Sequence, residues 1–227
     1  MSAVAANPPA QHFAPPNSVE NLAELVARLG DIPLARIRLH PPIGMATEAD
    51  VISAMEAPRK RLCELIDGVL VEKAMGYTEA VLALYLGRLL DEFVRPRNSG
   101  LVTAPDGTVR LWAGRVRIPD LAFTSWDRMP GRKRPRAPIP ELAPNLAVEI
   151  LSESNTRKEM AEKRKDYFTA GVELVWEIDP ANRTVDVYTS LATKTTLSEA
   201  DHLDGGTVLP GFNLALRTFF AELDREG

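Results

Sequence analysis

Residues 145–151, NLAVEIL, decide the fold. The run is apolar on both faces except for Glu149, the pattern of a strand covered on two sides and therefore central in an α/β sheet. Leu146, Val148 and Ile150 fall on one face, and Ala147, Glu149 and Leu151 on the other. A carboxylate in such a run is costly to leave unpaired, so a cation or a donor must meet it. That partner is either a structural Arg or Lys or a bound metal ion.

Upstream, residues 117–124 (RIPDLAFT) read as a strand headed by Pro119-Asp120. Asp120 shares a face with Ala122 and Thr124, although an aspartate after proline is also a common turn residue. Residues 101–104 and 109–112 read as strands flanking a turn at Asp106-Gly107. Residues 77–94 (YTEAVLALYLGRLLDEFV) predict a long helix, apolar around most of its circumference and so well buried. Residues 62–72 read as a hairpin about Asp67-Gly68, glycine accepting the positive φ of a tight turn. Thr47-Glu-Ala-Asp50 resembles a capping box before a short helix at 48–55. Residues 19–29 carry helical spacing ended by Gly30.

Downstream, residues 156–170 predict a helix stopped at Gly171. Its spacing sets Met160, Tyr167 and Gly171 on one stripe, with Arg164 inside it, Lys163 at its edge, and Lys158 and Lys165 opposite. Lys163 thus either borders a buried site or snorkels to water. Residues 173–178 and 184–188 predict a second hairpin. Asp204-Gly-Gly206 marks a turn before a short helix near 214–224. Helix, three strands, helix, strand is the order of an α/β fold with a mixed sheet. Residues 19–227 are expected to form one domain behind a flexible Pro- and Ala-rich lead, residues 1–18.

Two acids on neighbouring strands, Asp120 and Glu149, make a hard-oxygen site for Mg²⁺ or Mn²⁺, to which a main-chain carbonyl such as that of Ile150 adds a ligand. Such an ion polarises a phosphate and acidifies a bound water. A nearby lysine orients that water or stabilises developing negative charge.

Glu64-Leu-Ile-Asp-Gly68, Pro119-Asp120, Val148-Glu149-Ile150-Leu151-Ser152, Lys163-x-x-x-Tyr167 and Ala170-Gly171-Val172 together resemble the Uma2 family, in order and spacing, from about residue 45 to the C-terminus. That family belongs to the restriction-endonuclease-like PD-(D/E)XK superfamily. The resemblance implies a restriction-endonuclease-like mixed-sheet core of order αβββαβ, with added N-terminal helices and β-hairpins. It implies a metal-dependent endonuclease that hydrolyses phosphodiester bonds in DNA, with RNA open, using Mg²⁺ or Mn²⁺. Asp120 matches the motif aspartate and Glu149 the motif glutamate. Leu151 stands where the superfamily carries its lysine; in Uma2 proteins the lysine comes from the following helix, which fits Lys163. Glu64 matches the ELIDG glutamate and is expected as an accessory acid. Glu159 stands where many relatives carry Asp. A histidine often seen early in the family's long helix is absent, with Tyr77 or Glu79 near its place. A homodimer is expected. The alternative is a non-catalytic nucleic-acid-binding or assembly module that keeps the nuclease fold.

The loop at 128–136 concentrates Arg128, Arg132, Lys133, Arg134 and Arg136. It either grips phosphates close to the acids, with Arg115 and Arg117 extending the patch, or is a solvated surface.

The bulk composition agrees with a single folded domain. Of 227 residues, 45% are hydrophobic and 26% charged, enough for a core. The net charge of −4 argues against a protein that coats nucleic acid non-specifically. One cysteine, Cys63, precludes an internal disulfide or a cysteine-built zinc site, and suggests the reducing cytoplasm. No stretch suggests a membrane span or a signal peptide. His12, His40 and His202 are scattered, which disfavours histidine-dependent nucleases and zinc enzymes. No GxxxxGK[ST], GxSxG or GxGxxG motif supports an ATP, serine-hydrolase or NAD reading.

Overall fold

Asp67 and Gly68 both take positive φ, 49° and 79°, and fold β1 (Cys63–Ile66) onto β2 (Val69–Glu72) as the two-residue hairpin that the sequence predicts. The computed structural model describes residues 19–74 and 76–226; the lead at 1–18 lies outside them. Two short helices precede the hairpin, α1 (Leu22–Arg28) and α2 (Glu48–Glu56). The capping box at Thr47 and Asp50 forms. Helix α3 (Tyr77–Arg97) follows and ends at Asn98 in the left-handed conformation.

Beyond α3, the chain alternates between two sheets. β3 (Gly100–Thr103) joins the main sheet, whereas β4 (Val109–Trp112) and β5 (Arg115–Arg117) join the hairpin. The turn at Asp106-Gly107 is present, closed by Gly107 N–H on the Ala104 carbonyl, but the strands it separates do not pair with each other. The strand expected over 117–124 is likewise two strands. β5 ends at Arg117, and β6 (Leu121–Ser125) begins after Ile118-Pro119-Asp120. Pro119 has no N–H to give a ladder, and here the chain crosses from one sheet to the other.

The main sheet is completed by β7 (Leu146–Ile150), β8 (Leu174–Asp179), β9 (Thr184–Tyr188) and β10 (Lys194–Ser198), in the order β10-β9-β8-β7-β6-β3. Only β7 and β8 run parallel among these pairs, with α4 (Arg157–Thr169) as their crossover. α3, β3, β6, β7, α4 and β8 are thus the expected αβββαβ core on a mixed sheet. β11 (His202–Gly205) and β12 (Leu209–Ala215) form a third, two-stranded sheet, and α5 (Leu216–Phe220) runs on into a 3₁₀ helix (Ala221–Asp224), so the expected terminal helix begins two residues late and ends where predicted. β10, β11 and β12 are not predicted from the sequence.

Strand β7 is buried at all five positions. Leu146, Val148 and Ile150 pack with Leu82, Leu86 and Leu90 of α3 and with Trp176 and Phe212. Each such side chain contributes about 1.5–3 kcal/mol on burial. On the opposite face, Ala147 packs with Val175, Val172 and Tyr167, beneath α4. Glu149 shares that second face, and so points into the wedge between the main sheet, the four-stranded sheet β2-β1-β5-β4 and α4.

Candidate active site

The crossover at Pro119 brings Asp120 beside β7. The Asp120 N–H donates to the Val148 carbonyl at 2.9 Å, and Asp120 Oδ2 accepts the Ile150 N–H at 2.6 Å. The other oxygen, Oδ1, lies 2.8 Å from the ammonium of Lys73, whose side chain is 4% exposed. That ammonium also donates to the Ile118 carbonyl at 2.5 Å. Lys73 was missed in the sequence, although the hairpin register carried the signal. Glu64 opposes Val71, so Lys73, two residues on, shares the face of Glu64.

Glu149 is closed from α4. Its Oε2 accepts from Lys163 Nζ at 2.9 Å and its Oε1 from the Tyr167 hydroxyl at 2.5 Å. Lys163 is 3% exposed. The helix edge predicted for it faces Glu64 of β1 and is buried, so the snorkelling alternative does not hold. The same ammonium lies 3.5 Å from Glu64 Oε1. Glu64 in turn accepts the Ile118 N–H at 3.0 Å and Arg117 Nη1 at 2.8 Å.

Arg115 and Arg117 do not extend a surface patch. Arg117 is 2% exposed and bridges Glu64 to Asp166, while Arg115 meets Asp67 and Asp166. Alternation along β5 turns both guanidinium groups toward these acids rather than toward solvent. Glu159 is also buried and receives a two-pronged bond from Arg36, at 2.7 and 3.0 Å.

Burial sets the electrostatics and the ammonium groups oppose it. Burial pushes the Glu149 carboxyl above its ordinary value; Lys163 pulls it back, and the neighbouring charge of Asp120 pushes it up again. For Glu64, burial is outweighed by Lys163 and Arg117, which hold it at about 2. Burial would lower Lys163, but Glu149 and Glu64 raise it. The Tyr167 hydroxyl is driven well above its usual range by burial and by the charge of Glu149, so it stays a donor to that carboxylate.

Asp120, Glu149, Lys163 and Glu64 therefore meet in one buried cluster, with the Ile150 amide bound to Asp120. Arg132, Lys133, Arg134 and Arg136 do not join them. Their loop leaves β6 at Ser125, the end remote from Asp120, and all four are exposed, Arg132 pairing with Asp127. Arg128 anchors the loop instead, donating to the Ala143, Pro144 and Gly171 carbonyls and to Glu173. A cavity of about 910 Å³ opens one strand away, lined by Ser152, Asn155, Arg157, Arg164 and Glu177. Glu177 is the register partner of Glu149, yet neither Glu149 nor Asp120 lines that cavity.

Among the described residues, no three His, Cys, Asp or Glu side chains are gathered to cage a metal. The fit to one divalent cation rests on two carboxylates alone. The charge of Asp120 helps to raise the Glu149 carboxyl, and the ammonium groups of Lys163 and Lys73 already oppose that repulsion. Both are hard oxygen donors, suited to Mg²⁺ or Mn²⁺.

A family model, Uma2, described as "Putative restriction endonuclease", matches residues 50–217. No curated protein matches the sequence. Among solved structures, one similar chain is a "putative nuclease belonging to DUF820" from Anabaena variabilis ATCC 29413. It is 19% identical, with a TM-score of 0.67 over 78% of this chain and 98% of that one, a likeness of fold. No helix among the described residues is long and apolar enough to cross a membrane.

Proposed function

The chain belongs to the Uma2 family, and from that premise we propose that it is a metal-dependent endonuclease that hydrolyses phosphodiester bonds in DNA. The observation that carries this reading is the placing of Asp120, just before β6, beside Glu149 on β7, with a lysine ammonium against each. In this reading the two carboxylates hold one Mg²⁺ or Mn²⁺, with the Ile150 carbonyl as a further oxygen. When bound, the ion polarises the scissile phosphate and lowers the pKa of an attached water.

The chain's own groups do the rest. Tyr167 and Lys163 orient Glu149 from α4. Lys163 stabilises negative charge that develops on the phosphate. Glu64 acts as a positioning acid, keeping Lys163 and Arg117 charged within the wedge. The exposed Arg132, Lys133, Arg134 and Arg136 contact backbone phosphates away from the reacting bond.

The test is cleavage of linear, supercoiled and single-stranded DNA, and of RNA, in Mg²⁺, Mn²⁺ and EDTA. Metal-dependent cutting of DNA that disappears in Glu149→Gln is expected. No cutting of any substrate in either metal would overturn the reading. A second reading, a non-catalytic nucleic-acid-binding or assembly module, is favoured by the closure of both carboxylates, whose side chains are only 5% and 6% exposed. Calorimetry with Mn²⁺ separates the two: heat of binding lost in Asp120→Ala supports the enzyme, and salt-sensitive DNA association without Mn²⁺ binding supports the module.

A further inference from the structure

We propose that the cavity beside the acid cluster is a nucleobase site: it takes one unpaired base of a DNA strand, held by its hydrogen-bonding edge on Glu177 and Arg164, and so directs the chain to single-stranded or locally opened DNA. The proposal rests on the nuclease reading above and supplies the substrate class which that reading leaves open.

The cavity measures about 910 Å³, within the range of small-ligand sites, about 300–1,000 Å³. Leu151, Met160 and Pro180 give it apolar wall. Two of its polar groups keep unused bonding capacity. Arg164 donates Nη1 to Glu177 Oε1 at 2.6 Å, and its guanidinium carbon sits 4.5 Å from the centre of the Tyr188 ring. Ring and carboxylate hold the guanidinium in place. It makes no further hydrogen bond among the described residues, although a guanidinium carries five N–H donors. Glu177 is the converse case. Its side chain is 6% exposed, and Oε2 accepts from no described residue. Burial lifts its carboxyl, Arg164 opposes the rise and the charge of Glu149 adds to it, so a second donor is the contact it lacks. The cavity thus sets a free acceptor beside free donors, flanked by apolar surface. Every nucleobase sets an N–H beside a ring nitrogen or carbonyl oxygen on its pairing edge, and offers two flat faces to stack.

Charge decides that the base enters and the phosphate stays outside. The lining carries five carboxylates against three cations, Arg157, Arg164 and Lys194. Arg164 and Lys194 are each paired already, with Glu177 and Asp186. A phosphate inside would meet the excess negative charge, whereas a base carries none. Arg157, exposed, is left for the phosphate outside. Position ties the cavity to the acids. Glu177 is in register with Glu149 on the adjoining strand, about 4.8 Å across the sheet. Leu151 and Ser152, also in the lining, follow directly from β7. A strand that fills the cavity therefore passes the acid cluster. A base paired and stacked in a duplex cannot enter, so it must be presented unpaired.

The experiment uses the full chain in EDTA, so that binding is read without cleavage. The probes are a fluorescent mixed-sequence DNA strand and the same strand annealed into duplex. Anisotropy is expected to give about tenfold tighter binding to the strand. In Glu177→Gln the side-chain carbonyl still accepts from Arg164, but the amide turns donors toward the base. Strand affinity is expected to fall about tenfold, the loss of one hydrogen bond to a charged group, with duplex affinity unchanged. Should that variant fail to fold, Ala181→Trp blocks the cavity from an exposed position in its lining and is expected to give the same selective loss. A glutamate that only supports the fold would leave the strand-to-duplex ratio where it is. Equal affinity for strand and duplex, strand affinity unchanged in the folded variants, or no binding of either probe overturns the proposal. Strand preference that the variants abolish, with no cleavage in Mg²⁺ or Mn²⁺, sinks the nuclease reading alone. Metal-dependent cutting with equal affinity for both forms sinks the base site alone.

Discussion

Ile150 donates its backbone N–H to Asp120 Oδ2 at 2.6 Å, so the residue that follows Glu149 on β7 fixes the carboxylate that immediately precedes β6. This bond makes the spacing of the two acids a property of strand pairing rather than of side-chain rotamers. It also explains how a carboxylate survives at a chain crossover, where Pro119 offers no N–H.

Asp120→Asn tests how much the neighbouring ion pair supports the fold. The asparagine carbonyl still accepts from Ile150, but its amide turns donors toward the Lys73 ammonium. Lys73 then keeps only the Ile118 carbonyl, inside a wedge where its side chain is 4% exposed. A buried charge stripped of its partner costs about 3–5 kcal/mol. Urea unfolding is expected to register a loss of about that size, with much of it recovered in the Asp120→Asn/Lys73→Met double variant. Additive losses in the double variant would mean that the two groups do not act as a pair.

Tyr167→Phe removes the shortest contact to Glu149 while leaving the ring in its packing with Ala147 and Val175. Hydrogen bonds to charged groups contribute about 1.5–3 kcal/mol. A destabilisation in that range is expected from denaturant unfolding. Mn²⁺ affinity should fall as well, because Glu149 Oε1 is no longer oriented. A variant as stable as wild type would show that Lys163 alone positions Glu149.

The core was legible in the sequence because its signals are local. NLAVEIL announced β7, Asp67-Gly68 announced the first hairpin, and Gly171 ended α4 with φ 88°. The site was half legible for the same reason. Asp120, Glu149, Lys163 and Glu64 sit in motifs, whereas Lys73 and Arg117 acquire their roles from pairing between β1, β2 and β5. A basic residue on a three-residue strand looks like surface until the facing acids, Glu64 and Asp166, are known. The splitting of 101–112 between two sheets left no local trace, since the turn at Asp106-Gly107 reads the same whether or not its flanks pair.

Gly30→Ala is expected to loosen the N-terminal layer from α4. Gly30 has φ 90°, and a Cβ there would stand 2.5 Å from Glu159 Cα, a backbone atom that cannot yield. Its carbonyl caps the same contact by accepting from the Thr156 hydroxyl. The left-handed backbone disfavours alanine by about 1–2 kcal/mol, and overpacking adds about 1–3 kcal/mol. Thermal unfolding should drop accordingly. Because Arg36 reaches Glu159 from this layer, hydrogen exchange in residues 22–36 should rise more than in β7. An unchanged melting temperature would contradict the close approach.

Acid stability isolates the contribution of Glu64. Burial would raise its carboxyl, but Lys163 and Arg117 hold it at about 2, below the 4.5 of the free group. The unfolded chain therefore binds the proton first as pH falls, and stability is lost between about 4.5 and 2. The loss is on the order of 3 kcal/mol for this group. Glu149 has the opposite sign: its raised carboxyl favours the folded state at low pH, and that contribution fades as pH rises above 4.5. Urea unfolding at several pH values between 6 and 2.5 should therefore give a steeper acid limb in wild type than in Glu64→Gln, even though the variant starts less stable at neutral pH with Arg117 partly unpaired. Parallel limbs in the two proteins would mean that the Lys163–Glu64–Arg117 chain does not hold Glu64 ionised.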